Sequence, residues 1–271
     1  MTASFIESAA LWAPSLPGWD VARAAFRGEG AAVDPPARRP APALLPPTER
    51  RRASDSVALA LEVAADAVAR SGFAATELLS VFTSCHGDLA ITDNLCSTLV
   101  AHPELLSPTR FHNSVHNAAS GYWGIATGNR HASTAVSAFA QSFAAGLLEA
   151  LTQAAAETRP VLLVGVDIAA CGPLVATNTS RGMLAVALVL APQASVRTLA
   201  RLDWGLASGP AEPIALRSAA ALALRANAMA DALPLFEALA RDDAELRALP
   251  LSAELALQVQ LGGFARDRAA G

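Results

Sequence analysis

Two short segments, Val161 to Val166 and Leu184 to Leu190, are nearly continuous runs of apolar side chains. A strand with one face in water alternates apolar and polar residues, whereas a strand covered on both faces does not. These runs therefore call for helices above and below the sheet that holds them, and the flanking pattern supplies the helices. Residues 55 to 71 carry Val57, Leu61, Ala64, Ala65 and Val68 at helical spacing behind Ser54, a natural N-cap. Residues 140 to 157 put Phe143, Leu147, Leu148 and Leu151 on one helical face. Further helices are predicted near 89 to 101 and from Asn117 to Thr127, where Gly128-Asn129 makes a stop. Phe5 to Trp12, Leu78 to Ser84 and Ser133 to Ala138 read as the remaining strands of this part. Strand, helix, strand, helix, helix, strand, helix, strand, strand is the order of a layered α/β/α sandwich.

Beyond residue 195 the pattern predicts strands at Val196 to Asp203 and Leu255 to Gln260, around a mostly helical stretch from 214 to 241. After Trp12 the chain enters a loop with Pro14, Pro17 and Gly18. Residues 34 to 48 hold six prolines and read as an extended surface connection inside one domain. With 53% hydrophobic residues over 271, global disorder is excluded. A net charge of −4, with arginine as the sole basic residue type, gives no footprint for wrapping nucleic acid. Charge this sparse on so apolar a chain points to a surface covered by a partner. No apolar stretch approaches the roughly 20 residues that span a bilayer. Glu7 and the lack of a basic start argue against a signal peptide. Cys85, Cys96 and Cys171 are odd in number and widely spaced, which reads as reduced thiols of a cytoplasmic protein.

Residue types alone do not assemble an active site. Cys85 and His86 are neighbours at a strand end and point to opposite faces, so they make no simple dyad. His112 and His116 have metal-like spacing only if their segment is helical; Asn113, Ser114 and Val115 favour a loop that hydrogen bonds fix in place. Asp167 is read as a turn-forming residue rather than a catalytic carboxylate, and Arg50-Arg51-Arg52 as a solvated face or a fringe of a partner surface. There is no GxSxG, P-loop or GxGxxG pattern.

At residues 107 to 149 the chain resembles the N-terminal half of the β-ketoacyl synthases of the thiolase superfamily. It is most similar to the short ketosynthase-like proteins of aryl polyene and xanthomonadin-type pigment clusters. SPTRF and SVHNAASG match the loop and helix start of that family. STAVSA and AQSFAAGLLEAL stand where a ketosynthase has its nucleophile elbow and following helix, and VLLVGVD and RGMLAVALVL match later strands. LLPPTERRRAS, VFTSCHGD and ANAMADALPLFEALA support the match, which reaches from about residue 40 to 240. The resemblance implies a thiolase-like α/β/α sandwich made of a single truncated ketosynthase half-fold. Residues 1 to 195 would form the half and 196 to 271 a C-terminal extension packed on the same domain.

The departures from that family carry the functional expectation. A ketosynthase opens its long helix with a nucleophilic Cys, where the helix dipole favours the thiolate. Here Ser137-Ala138-Phe139-Ala140-Gln141-Ser142 puts Phe139 at or beside that position, and no cysteine lies between Cys96 and Cys171. The histidine pair that supports decarboxylation has no counterpart, since no histidine follows His131. The resemblance thus implies a catalytically silent, chain-length-factor-like subunit, without cofactor or metal, paired with an active β-ketoacyl-ACP synthase. Acyl carrier protein would be met indirectly. Ser133, Thr134, Ala135, Val136, Ser137 and Ala138 would form the interface strand, and Phe111, Tyr122, Trp123 and Phe139 would cap or line an acyl tunnel. Two other readings stay open: an independent thioesterase or acyltransferase using Ser137, Ser142 or Cys85, and a pure pathway scaffold.

Overall fold

The computed structural model describes residues 1–176, 178–212 and 214–263. The chain opens with β1 (Thr2–Ala13), the short β2 (Leu16–Pro17), α1 (Trp19–Arg27), α2 (Pro47–Arg52) and α3 (Asp55–Ser71). Then come β3 (Leu79–Thr83), α4 (Leu89–Ala101), α5 (Pro108–Ser114), α6 (Ala118–Thr127), β4 (Ser133–Val136) and α7 (Ser142–Glu157). β5 (Val161–Asp167), β6 (Leu184–Ala191), β7 (Ala200–Ser208), α8 (Ala219–Leu224), α9 (Leu233–Arg241), β8 (Leu246–Pro250) and β9 (Leu255–Gly263) complete it. All strands join one sheet in the order β4-β3-β5-β6-β1-β7-β9-β8, with β2 paired to β1. β3 pairs in parallel with β4 and β5, and the other neighbours run antiparallel.

The apolar runs divide strictly between two cores. In β5, Val161 and Leu163 enter one cluster with Phe143, Leu147 and Leu151 of α7. Leu162, Val164 and Val166 enter the other, with Leu59, Leu61 and Trp123 from the helices beneath. β6 divides the same way, Leu188 on one side and Val189 on the other. This is the α/β/α layering expected from the two apolar runs. Burying one such side chain is worth roughly 1.5–3 kcal/mol, so the two layers supply most of the driving force. Gly146 lets α7 lie tight on the sheet: a Cβ there would sit 2.9 Å from Thr83 Cβ. Ser54 does cap α3, accepting from the Val57 amide at 3.3 Å.

Several segments differ from the sequence expectation. α1 stands where only a loop was read; Trp19, Ala22, Ala25 and Phe26 bury one face of it, after Gly18 turns the chain at φ 117°. α2 and β8 are further elements without an expected counterpart. α5 replaces a loop, because Ser107 caps it from the Arg110 amide and Pro108 starts it without losing a needed donor. β7 begins at Ala200 rather than Val196: Ser195 and Thr198 hydroxyls both donate to the buried Glu7 carboxylate, which holds a turn in that place. The proline-rich connection is pinned by Arg39, which donates to Asp55 and to the Arg50 and Ala53 carbonyls. Residues 264 to 271 of the expected extension lie outside the described residues. Among the described residues, no helix is long and apolar enough to cross a membrane.

Candidate functional site

Parallel strands deliver their C-terminal ends to one side of a sheet, where α/β folds concentrate their chemistry. Here Thr83, Val136 and Asp167 end β3, β4 and β5 on that side, and the residues just beyond them meet. Asp167 is wholly buried and accepts from the Ser84 hydroxyl at 2.6 Å and the Cys85 amide at 3.0 Å. It is therefore a bridge between strand ends rather than the turn residue expected. Desolvation by burial pushes its carboxyl above the ordinary range against those stabilising bonds. The Ser84 hydroxyl also accepts from Gly87, whose φ of 65° makes the turn that brings His86 back over the cluster. His86 Nε2 stands 3.8 Å from Asp167 Oδ1.

Cys85 is buried, and Asn178 Nδ2 donates to its Sγ at 2.9 Å. Desolvation raises the thiol, as do the Asp167 and Asp231 carboxylates, so it stays protonated at neutral pH. It is a core residue at a strand end. His86 Nδ1 faces the Gly87 carbonyl, and no Cys85–His86 dyad forms.

The turn between β4 and α7 holds one of the three non-glycine residues with positive φ among the described residues. Phe139 has φ 49°, a left-handed conformation that bulky side chains avoid, and it is 71% exposed. Its surroundings impose this. The Ala138 amide donates to Ser142 Oγ at 3.0 Å, the Ser142 hydroxyl donates to the Phe139 carbonyl at 2.7 Å, and Gln141 N donates to Ala138 O at 3.0 Å. Thr83 Oγ1 then ties the Ser142 carbonyl to β3 at 2.7 Å. Across the head of α7, the Phe143 amide donates to Asp231 Oδ2 at 3.0 Å. Asp231 lies in a 3-10 turn, Ala228–Ala232, whose Met229 fills the gap left by Gly165 in β5. Burial pushes the Asp231 carboxyl up to about 7, with Asp167 adding to the rise.

The sequence-derived candidates end up in different settings. Ser133 to Val136 are β4, the terminal strand, its residues alternating exposed and half-buried; Ser137 and Ala138 follow it, with Ser137 donating to the Cys85 carbonyl at 3.0 Å. Phe111 is 68% exposed on α5. Tyr122 packs edge-on against His112 and lines, with Leu45, Pro108 and Ile125, a cavity of ≈ 440 Å³. Trp123 is 2% exposed and belongs to the lower core, away from any surface. His116 bonds the Ser84 carbonyl at 3.0 Å, so His112 and His116 serve separate partners. Arg50 donates to the Leu45 carbonyl and Arg52 pairs with Glu49, which gives the arginine run a local structural role.

This arrangement is a strained residue between a strand and the head of a long helix, carrying an exposed phenyl ring. A family model described as the β-ketoacyl synthase N-terminal domain matches residues 26–248. The chain belongs to that family. No curated protein matches it. Among solved structures, a chain of the ketosynthase ApeO in complex with its chain length factor ApeC from Xenorhabdus doucetiae is similar at 24% identity. The match covers 96% of this chain and 100% of that one, with a TM-score of 0.73. The ishigamide ketosynthase/chain length factor is similar at 18% identity, with 98% and 100% coverage and a TM-score of 0.72. A type II polyketide synthase acyl carrier protein in complex with its ketosynthase, AntDE:AntF, has a chain similar at 10% identity, with 97% and 100% coverage and the same TM-score. At these identities the likeness is one of fold.

Within this ketosynthase-type fold, Asp231, Asn178, Ser84 and Asn227 are site residues that sequence reasoning passed over. Asn227 Nδ2 spans the Asp167, Arg181 and Gly182 carbonyls, locking the end of β5 to the start of β6. One signal was available for Asp231: it is the lone carboxylate between Met229 and Leu233, both fully buried. The others are short polar residues in loops, and nothing local announces their partners.

Proposed function

We propose that the chain is a catalytically silent, chain-length-factor-like subunit that pairs with an active β-ketoacyl-ACP synthase. The observation that carries this reading is Phe139 at the apex of the elbow: a phenyl ring has neither a nucleophilic atom nor a transferable proton. The buried, protonated Cys85 and the fully bonded Ser142 favour it over the thioesterase or acyltransferase alternative. Pairing is supported by β4, whose outer edge is unpaired among the described residues and offers main-chain groups to a second sheet. Ser133 to Ala138 are the proposed contact strand. Phe111, Tyr122 and Phe139 are the proposed tunnel or gate side chains, with Trp123 as the core anchor under them. Acyl carrier protein then reaches the complex through the synthase. Residues 1 to 195 serve as the ketosynthase-like half and 196 to 271 as its extension; β7, β9 and β8 continuing the same sheet support its packing on one domain.

The test is co-expression with ketosynthases from the same genome, followed by size-exclusion chromatography with light scattering and analysis of product length. A stable one-to-one complex whose product length shifts on Phe139→Ala or Tyr122→Ala is expected. Identical rates and product lengths with and without this chain would sink the reading. A complex with unaltered product length would mark a scaffold. A covalent acyl adduct on the chain, seen by intact mass after incubation with acyl thioesters, would mark an enzyme.

A further inference from the structure

We propose that Asp231 occupies, from within the chain, the anion position at the head of α7, so that the elbow is silenced a second time and independently of Phe139. This rests on the silent-subunit reading and names the device behind it. The 16-residue α7 ends its N-terminus in unbonded amides that carry partial positive charge, which is the feature that makes such a helix head favour a thiolate or oxyanion. In this chain Asp231 engages that first turn, through the Phe143 amide and with the Ala144 amide also stabilising its carboxylate, while the turn before the helix is closed on itself. Ser142 Oγ accepts from Ala138 N, Ala138 O accepts from Gln141 N, and Asp231 Oδ2 accepts from Phe143 N at 3.0 Å.

Asp231 is more than a cap of convenience. Its Oδ1 is sealed from solvent and has no hydrogen-bond partner among the described residues, an arrangement that costs free energy unless the helix head repays it. Met229 seated against Gly165 and the Asn227 bond to the Met229 amide at 2.9 Å hold the turn in place, so the carboxylate is positioned by its neighbours rather than by its own reach. The turn packs directly on the Phe139–Gln141 segment. The charged and titratable groups that share this interior are Asp167 at the end of β5 and Cys85 after β3. A thiolate at position 139 would therefore meet a carboxylate already seated on the helix head. Asp231 is a positioning residue in this sense: it acts on whatever group stands at the elbow.

Installing a thiol reads the field directly. Iodoacetamide alkylation of Phe139→Cys, followed from pH 6 to 10 by peptide mass against the three native cysteines, gives the midpoint of thiolate formation. The expectation is a midpoint at or above the usual thiol value of about 8.5, and not the depressed midpoint of an elbow cysteine. Adding Asp231→Asn, or Asp231→Ser, keeps an acceptor for Phe143 N while removing the charge. Alkylation at pH 7.5 should then accelerate by roughly three- to tenfold. A midpoint well below 8 in Phe139→Cys alone overturns the proposal, whether or not the Asp231 variants fold. Equal rates in all three folded chains also overturn it. Pairing with a ketosynthase, measured on the same preparations by light scattering, separates the two levels: loss of pairing by the parent chain sinks the silent-subunit reading, whereas unchanged alkylation in a chain that pairs sinks this inference alone.

Discussion

Phe139 and Phe143 stand four residues apart and behave as opposites. Phe143 is completely buried on α7, edge-on to Phe236 with ring centroids 6.2 Å apart, at the centre of the upper core. Phe139 is 71% exposed, on a left-handed backbone, at the head of the same helix. One phenyl ring serves the fold of the isolated chain. The other burdens it, since an exposed aromatic ring earns little burial and the positive φ costs roughly 1–3 kcal/mol. The same contrast separates the sheet centre from its edge. β5 and β6 are buried at every residue, while β4 ends the sheet with one side open among the described residues, and Phe111, Val115 and Ile125 lie exposed on the surface. The interior is finished within one chain, and the edge is not.

The comparison can be broken most sharply at Phe143. Phe143→Ala should lower stability by about 3–5 kcal/mol, seen as an earlier urea midpoint, because the helix cannot collapse into the space left on the sheet. A loss under about 1 kcal/mol would mean that the upper layer is not the core described here.

Asp231 gives the next largest effect and a definite pH direction. Its carboxyl is raised to about 7 in the folded chain from an ordinary 3.8, so the folded state holds a proton that the unfolded state has lost. That contribution is fully present below pH 4 and disappears as pH rises through 7, a change on the order of a few kcal/mol. Asp167, also raised, adds in the same direction. Asp231→Asn should therefore flatten the fall in stability between pH 4 and 7 relative to the parent chain. Parallel pH profiles for the two proteins would contradict the burial assigned to this carboxylate.

Phe139→Gly sharpens the contrast from the other end. Glycine accepts positive φ freely, so the isolated chain should gain up to about 1 kcal/mol in thermal unfolding, while a complex with its ketosynthase should weaken. A simple loss of stability would show that the ring packs on something in the free chain. The smallest effect belongs to Ala135→Glu, at an exposed position of β4. Isolated stability should move by no more than about 0.5 kcal/mol, whereas pairing through that edge should be lost. An intact complex would move the interface elsewhere on the molecule.

Much of this molecule can be read in its residue pattern, for a physical reason. Whether a segment is buried on one face or two is written in its own apolar periodicity, so β5, β6, α3 and α7 are visible from a few residues each. That residue 139 is a phenylalanine, with no nucleophilic atom, is likewise legible from residue type alone. α1 and α5 carry local signals in Trp19, Ala22 and Phe26 and in Ser107-Pro108, but Pro14, Pro17 and Gly18 before the one and Asn113, Ser114 and Val115 at the end of the other favour loop. Other features have no local signature at all. Asp167 looks like a turn residue in sequence and becomes a buried bridge only because β3 runs beside β5. Trp123 reads in sequence as a tunnel or gate side chain and is core because α6 lies over the lower layer. Asp231 meets the head of α7 across 88 residues of chain. Periodicity is a property of one segment and survives without the fold. A hydrogen bond between distant segments exists only once the sheet has brought them together, and that is what the tertiary structure alone decides.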